Sequence, residues 1–79
     1  METRERINDI LVYELGIDYK KIIDSANLRD DLGADSFDKI GIIMQIEDKF
    51  NISIKDEHAE KMITVGNIFE YLKKEHNII

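Results

Sequence analysis

Apolar residues near the start of the chain recur at intervals of three and four positions, which is the spacing of one face of an α-helix. This stripe predicts a helix over residues 3–15, with Thr3 as its cap and Gly16 at its stop. Glu5 suits the positive end of the helix dipole. The stripe consists of Ile7, Ile10, Leu11 and Leu15.

Three further helices are predicted after a long connection. They cover residues 36–50, 56–61 and 64–75, and they begin at the cap Asp35, at Asp56 and at the cap Thr64. Residues 51–54 alternate like a strand, but four residues without a partner are a weak indication of one. The predicted fold class is therefore all-α: a small four-helix bundle with three main helices and one short helix.

The connection between the first two helices, residues 16–35, is unusually long for so small a chain. Tyr19 to Ile23 is predicted to form a short turn, and four apolar side chains are predicted to pin the loop to the core. Those side chains are Ile17, Ile22, Leu28 and Leu32. A loop of this length in a compact domain is often functional.

The second helix carries more apolar residues than one buried face needs. At about 100° per residue, one group is predicted to face the core: Ile42, Ile43, Ile46 and Phe50. A second stripe lies well round the helix, shares its sector with Glu47 and Asp48, and consists of Phe37, Ile40 and Met44. Apolar side chains mixed with carboxylates favour an exposed contact surface. Burial of a wide face between two neighbouring helices would give the same pattern.

The length, the charge and the lack of cysteine restrict the kinds of function that this chain can have. The 79 residues are predicted to form one small domain over 1–79, with 17 acidic and 11 basic side chains and a formal net charge of −6. That balance argues against nucleic acid as a partner and favours basic protein surfaces. Because the chain has no cysteine, it has no disulfide, no thiolate metal site and no thiol of its own. The charged start and the lack of a long apolar run predict a setting in the cytoplasm, or in an organelle matrix if a transit peptide has been removed, without membrane contact. The chain is further expected to be a monomer.

Ser36 stands at the predicted start of the second helix, directly after Gly33-Ala34-Asp35. Its hydroxyl is expected to be exposed beside the free amides of the helix, whose positive end would hold a phosphate on that oxygen. The local charge is negative, so the site would not attract a free anion. From the residues alone, a plain N-cap serine is the simpler interpretation.

The segment Asp30-Asp-Leu-Gly-Ala-Asp-Ser-Phe37 resembles the phosphopantetheine attachment motif of acyl carrier proteins. The resemblance covers nearly the whole chain. It includes the amphipathic first helix, the long loop, the motif, and a second helix that ends Ile46-Glu-Asp-Lys-Phe50. It continues through residues 56–61 and Thr64-Val65.

The resemblance implies that Ser36 carries 4′-phosphopantetheine, which a separate transferase moves from coenzyme A with magnesium. The arm would end in the thiol that the chain lacks. It would hold acyl groups as thioesters and deliver them to enzymes of fatty-acid or related lipid and polyketide biosynthesis. Ser36 is then an attachment point, and the chain is not an enzyme. No histidine or lysine is evidently placed as a base for Ser36, so the base should belong to the transferase.

The resemblance also implies a docking face for the transferase and for acyl-transfer and condensing enzymes with basic patches. Between residues 35 and 60 the chain has seven acids and three bases, a net charge of −4. Such contacts set the encounter rate and orientation more than the affinity. The matching carboxylates are Asp35, Asp38, Glu47, Asp48, Asp56, Glu57 and Glu60, and the apolar residues expected to join them are Phe37, Ile40 and Met44.

Three residues depart from the commonest fatty-acid pattern of that family. Phe37 replaces the usual leucine, Lys39 adds a positive charge that the helix dipole disfavours, and Gly41 stands where many relatives have glutamate. These changes leave a housekeeping role and a specialised pathway both open. The nearest alternative is an aminoacyl or peptidyl carrier. From another class, the alternative is an acidic protein-interaction module without a prosthetic group.

Metal binding fits the sequence poorly. In the acidic stretch 30–38, Leu32 and Gly33 fall where an EF-hand needs ligands. His58 and His76 are isolated in the sequence and are interpreted as surface residues. No metal site is predicted.

Overall fold

The computed structural model describes residues 2–79 and contains four α-helices, as the apolar pattern predicts. They are α1 (Thr3–Leu15), α2 (Ser36–Phe50), α3 (Asp56–Glu60) and α4 (Val65–His76), and a 3₁₀ turn (Tyr19–Lys21) lies between α1 and α2. Between residues 2 and 79 the β-type pairing amounts to one isolated bridge, Asn27 with Thr64, so residues 51–54 form no strand. The all-α prediction is confirmed.

The helix ends show why these segments are helical. Asp35 and Thr64 are the N-caps of α2 and α4, and each forms a reciprocal capping box with the residue three positions on. Gly16 ends α1 in the left-handed conformation, with φ at 60°, and donates its N–H to the Val12 carbonyl at 2.8 Å. These caps satisfy backbone groups that the helix itself leaves unpaired.

The predicted cap of α1 is wrong. Glu2 occupies the N-cap position and makes no side-chain cap, while Thr3 already lies in the first turn. The Thr3 hydroxyl instead donates a hydrogen bond to the carbonyl of Ile79 at 2.6 Å. A local pattern could not indicate this bond, because it joins residues at opposite ends of the chain.

The core lies where the helices and the long loop meet. Ile7 and Leu11 of α1, and Ile42 and Ile46 of α2, are at most 1% exposed, as their stripes predict. The side chains that complete the core from the other segments include Ile22, Leu28, Leu32, Ile54, Met62, Val65, Ile68 and Leu72. Those that pack against it while partly exposed include Leu15, Ile17, Ile43, Phe50 and Phe69. None of the helices within residues 2–79 has the length and hydropathy needed to cross a membrane.

Hydrogen bonds hold the loop between α1 and α2 against the start of α4. The N–H of Leu28 donates to the carbonyl of Ile63 at 2.9 Å. Asn27 Oδ1 accepts hydrogen bonds at 2.9 Å from the backbone N–H groups two and three residues further on, which closes a tight turn. The residues that lead into α2 therefore have a defined path.

Candidate functional site

Ser36 is the first residue of α2, and its side chain is exposed. Gly33 turns the chain toward it with a left-handed backbone, φ 76°, which favours glycine. Ala34 is 6% exposed, so the segment that leads into α2 is packed against the core at this residue. The Ser36 hydroxyl makes no hydrogen bond to any residue between 2 and 79, so its oxygen is accessible for modification.

The backbone at the start of α2 offers two unused hydrogen-bond donors. Asp35 Oδ1 accepts the N–H of Asp38 at 2.8 Å, and Asp38 Oδ2 accepts the N–H of Asp35 at 3.0 Å. The N–H groups of Ser36 and Phe37 have no acceptor in the described part of the chain. An anion on the Ser36 oxygen would therefore meet two free donors and the positive end of the helix.

Three of the predicted docking carboxylates also hold the fold together, and the exposed one among them is Asp35, the N-cap of α2. Asp38 is half-buried and belongs to the capping box of α2. Glu47 is half-buried too, and its Oε2 accepts the N–H of Ile54 at 2.8 Å, which ties the segment before α3 to α2. The other predicted carboxylates are exposed: Asp48, Asp56, Glu57 and Glu60.

The second apolar stripe of α2 faces solvent. Phe37 is 82% exposed, Ile40 56% and Met44 62%. Burial between two neighbouring helices is therefore excluded for these three side chains. An exposed apolar stripe beside carboxylates has the composition of a protein contact surface.

Two surface grooves meet at Ser36. The loop groove lies between the long loop, α2 and the end of α3, and the helix groove lies between α2 and α3. Ser36, Lys39 and Glu60 line both. The loop groove is further lined by Asn27, Leu28, Arg29, Asp30, Ala34, Asp35, Met62 and Ile63. The helix groove is further lined by Ile40, Ile43, Met44, Glu47, Ile54, Asp56 and Ala59.

The helix groove brings together predicted residues that are distant in sequence. The predicted docking residues that line it are Ile40, Met44, Glu47, Asp56 and Glu60. Phe37, Asp38 and Asp48 line neither groove. Ile63 is not among the predicted site residues, yet it is 52% exposed and lines the loop groove. No local signal indicates this position, because an apolar residue directly before a helix cap is expected to pack against its own helix rather than to line a groove.

A cluster around Tyr71 connects α3 to α4. The Tyr71 hydroxyl lies 2.7 Å from His76 Nε2, and the ring centroid of His58 lies 5.2 Å from that of Tyr71. Partial burial, with the nearby carboxylates of Glu75 and Glu47, raises the pKa of Tyr71 above its ordinary value of 10.0. Both histidines are half-buried against this tyrosine rather than isolated on the surface. No group of three or more His, Asp or Glu side chains that could hold a metal ion occurs among residues 2–79.

Comparisons with known proteins point to one family. The family described as phosphopantetheine attachment site matches residues 5–72. A solved structure of a candidate acyl carrier protein from Mycobacterium tuberculosis is 32% identical to this chain, with a TM-score of 0.83. The alignment covers 90% of this chain and 95% of that one. A phosphopantetheine group fits the start of α2, because Ser36 presents an exposed hydroxyl beside two free amides and two grooves.

Proposed function

Because this chain belongs to the phosphopantetheine attachment-site family of carrier proteins, we propose that Ser36 is the residue that carries its 4′-phosphopantetheine. The observation that carries the proposal is the exposed, unbonded hydroxyl of Ser36 at the start of α2. Of the three serines in the sequence, Ser36 alone begins a helix, whereas Ser25 and Ser53 lie in loops. Only Ser36 thus combines an exposed hydroxyl with the free amides of a helix start.

As a carrier, the chain holds a substrate group and catalyses no reaction itself. When bound, the prosthetic arm supplies a terminal thiol, which the cysteine-free chain lacks and which holds acyl groups as thioesters. The oxygen of Ser36 anchors the arm, and the amides of Ser36 and Phe37 stabilise its negative charge. The proton of the Ser36 hydroxyl goes to a base of the transferase. His58 and His76 line neither groove at Ser36, and the ammonium group of Lys39, which lines both, has no lone pair to accept a proton.

We place the docking face for partner enzymes on α2 and α3. Exposed carboxylates lie on α2, at its N-cap and on α3, and α2 also carries the solvent-facing stripe of Phe37, Ile40 and Met44. Basic patches on the transferase and on acyl-transfer and condensing enzymes complement this charge. Long-range attraction then raises the encounter rate and sets orientation, while modest affinity lets the carrier leave. The proposed charged contacts are Asp35, Asp38, Glu47, Asp48, Asp56 and Glu60.

The proposed cargo is an acyl chain of fatty-acid or related lipid or polyketide biosynthesis. Support comes from the helix groove beside Ser36, whose lining includes Ile40, Ile43, Met44 and Ile54. The apolar part of this lining suits an acyl chain, whereas its carboxylates at Glu47, Asp56 and Glu60 would suit the ammonium group of an aminoacyl cargo. Identification of the loading enzyme distinguishes the two. A single carrier domain over 1–79, acting as a cytoplasmic monomer, completes the proposal.

The experiment is intact-mass measurement after incubation with coenzyme A, magnesium and a broad-specificity phosphopantetheinyl transferase. Ser36→Ala is the test variant and Ser53→Ala is the matched control. We expect the parent and Ser53→Ala to gain one phosphopantetheine each, and Ser36→Ala to gain none. A gain in Ser36→Ala would place the attachment elsewhere. Failure of the folded parent, also with the transferase of its own genome, would favour the interaction module without a prosthetic group.

A further inference from the structure

Lys39 lies one helical turn beyond Ser36 and lines both grooves that meet there. Residues three apart on a helix share a face, with Cβ atoms about 5–6 Å apart. Lys39 is half-buried, and it is the only basic side chain among the residues that line the helix groove. The first turns of a helix disfavour positive charge, so an anion nearby would stabilise this lysine.

The ammonium group of Lys39 has no anionic partner in the part of the chain that the structure describes. The ion pairs found there join other residues, and the Lys39 side chain donates no hydrogen bond to residues 2–79. The adjacent carboxylates of Asp35 and Asp38 are each bonded to the backbone N–H of the other. Lys39 therefore lies in the groove without an ion pair to any described residue.

We infer that the partner of Lys39 is the phosphate of the prosthetic arm, an inference that rests on the proposed attachment at Ser36. A phosphodiester on the Ser36 oxygen places a negative charge within reach of the four-carbon stem of Lys39. The pair holds the first segment of the arm on the side of α2 that faces α3, over the two grooves. Lys39 is then a positioning residue for the arm.

Carboxylates compete with the phosphate for Lys39, because Asp35, Glu47, Asp56 and Glu60 line the same grooves. The phosphate has the advantage of a covalent tether one helical turn away, which gives it a high effective concentration at the ammonium group. The same carboxylates repel the phosphate. Loss of the lysine charge therefore leaves the start of the arm with no attraction toward α3, because the other basic side chain near Ser36, Arg29, lines only the loop groove.

The test compares the apo and holo forms of the full chain as parent, Lys39→Gln, Lys39→Arg and Lys49→Gln. Lys49 is the matched control, because it is exposed on the same helix and lies about 20 Å beyond Ser36 at 1.5 Å per residue. Each protein is incubated with excess transferase until its intact mass shows complete attachment. If the parent gains no mass, the proposed function fails and this inference falls with it. If the parent gains the mass of the arm, the remaining measurements test only the role of Lys39.

The readouts are the melting temperature of each form and the phosphorus resonance of the arm. In the apo form we expect Lys39→Gln to melt at or above the parent temperature, because the helix dipole is relieved. Attachment of the arm should raise the melting temperature by roughly 1–8 °C more in the parent and in Lys39→Arg than in Lys39→Gln. This difference should vanish near 1 M salt, where the Debye length is about 3 Å. The phosphorus chemical shift of the arm should differ from that of the parent in Lys39→Gln and should equal it in Lys49→Gln.

A purely structural lysine would change the melting temperatures of the apo and holo forms equally. An equal holo-minus-apo shift in the parent and Lys39→Gln, with an unchanged phosphorus resonance, would therefore overturn the inference. An equal effect of Lys49→Gln would also overturn it, because it would show a general charge effect.

Discussion

The carboxylate of Glu14 in α1 lies over Gly41 in α2, where a Cβ atom would stand 2.6 Å from Glu14 Oε2. Glu14 Oε1 also accepts a hydrogen bond from Gln45 Nε2 at 2.6 Å. The sequence pattern marks a mid-helix glycine only as a cost. In the structure, Gly41 is the position that lets the Glu14 side chain reach α2. Gly41 therefore leaves room for a contact between α1 and α2, apart from any role in docking.

Gly41→Ala should stabilise the protein fully only when Glu14 is removed. Alanine in a helix is favoured over glycine by up to about 1 kcal/mol. In the parent, the new methyl group must displace the end of the Glu14 side chain and its bond to Gln45, which offsets that gain. In a Glu14→Ala background we expect the full gain. Urea denaturation of the four proteins in the cycle measures the coupling, and equal effects of Gly41→Ala in both backgrounds would show that the contact is irrelevant.

Asp35 combines a capping role with a proposed docking role, and two substitutions separate them. Asp35→Ala removes the side-chain acceptor for the Asp38 N–H and should cost about 1 kcal/mol of unfolding free energy. Asp35→Asn keeps an acceptor and should change stability by less than about 0.5 kcal/mol. Both remove the charge, so both should slow association with a basic partner at low salt. Denaturation and stopped-flow association with the transferase test this, and unchanged association in Asp35→Asn would remove Asp35 from the docking face.

Phe37 should matter for recognition and hardly for folding. It is 82% exposed, so Phe37→Ser should alter unfolding free energy by less than about 0.5 kcal/mol. If it is an aromatic anchor of the docking face, its loss should lower the kcat/KM of the transferase by about tenfold, as truncation of an interface anchor does. Tyr13→Ser is the control, because Tyr13 is 79% exposed on α1. Equal kinetic effects of the two substitutions would argue against a specific role for Phe37.

Local patterns predicted what local physics determines. The stripes of α1 and α2 indicated the buried faces, and the caps Asp35 and Thr64 lie where short-range hydrogen bonding puts them. The position of Ser36 at a helix start followed from the same signals. The exposure of Phe37 could be argued from periodicity, yet the alternative of burial was settled only by the structure.

The remaining features depend on contacts between distant segments. The sequence predicts Glu47 only as a docking charge. Its hydrogen bond to the Ile54 N–H could not be predicted, because that bond depends on the path of the loop after α2. The reason for Gly41 is a side chain from another helix, and the Thr3 hydroxyl bonds to the opposite end of the chain. Apolar stripes and cap residues do not indicate these contacts, because the contacts form only when the helices pack together.

The raised pKa of Tyr71 makes the free energy of unfolding depend on pH in the alkaline range. Burial and two carboxylates keep Tyr71 protonated in the folded state at pH values where the unfolded chain loses that proton. The contribution of Tyr71 to the free energy of unfolding is therefore complete below about pH 10 and is lost as pH rises through the pKa of the folded state. Denaturation from pH 8 to pH 11 should show a shallower alkaline decline for Tyr71→Phe than for the parent. The exposed Tyr13, as Tyr13→Phe, is the control, and parallel profiles for the parent and Tyr71→Phe would contradict the assignment.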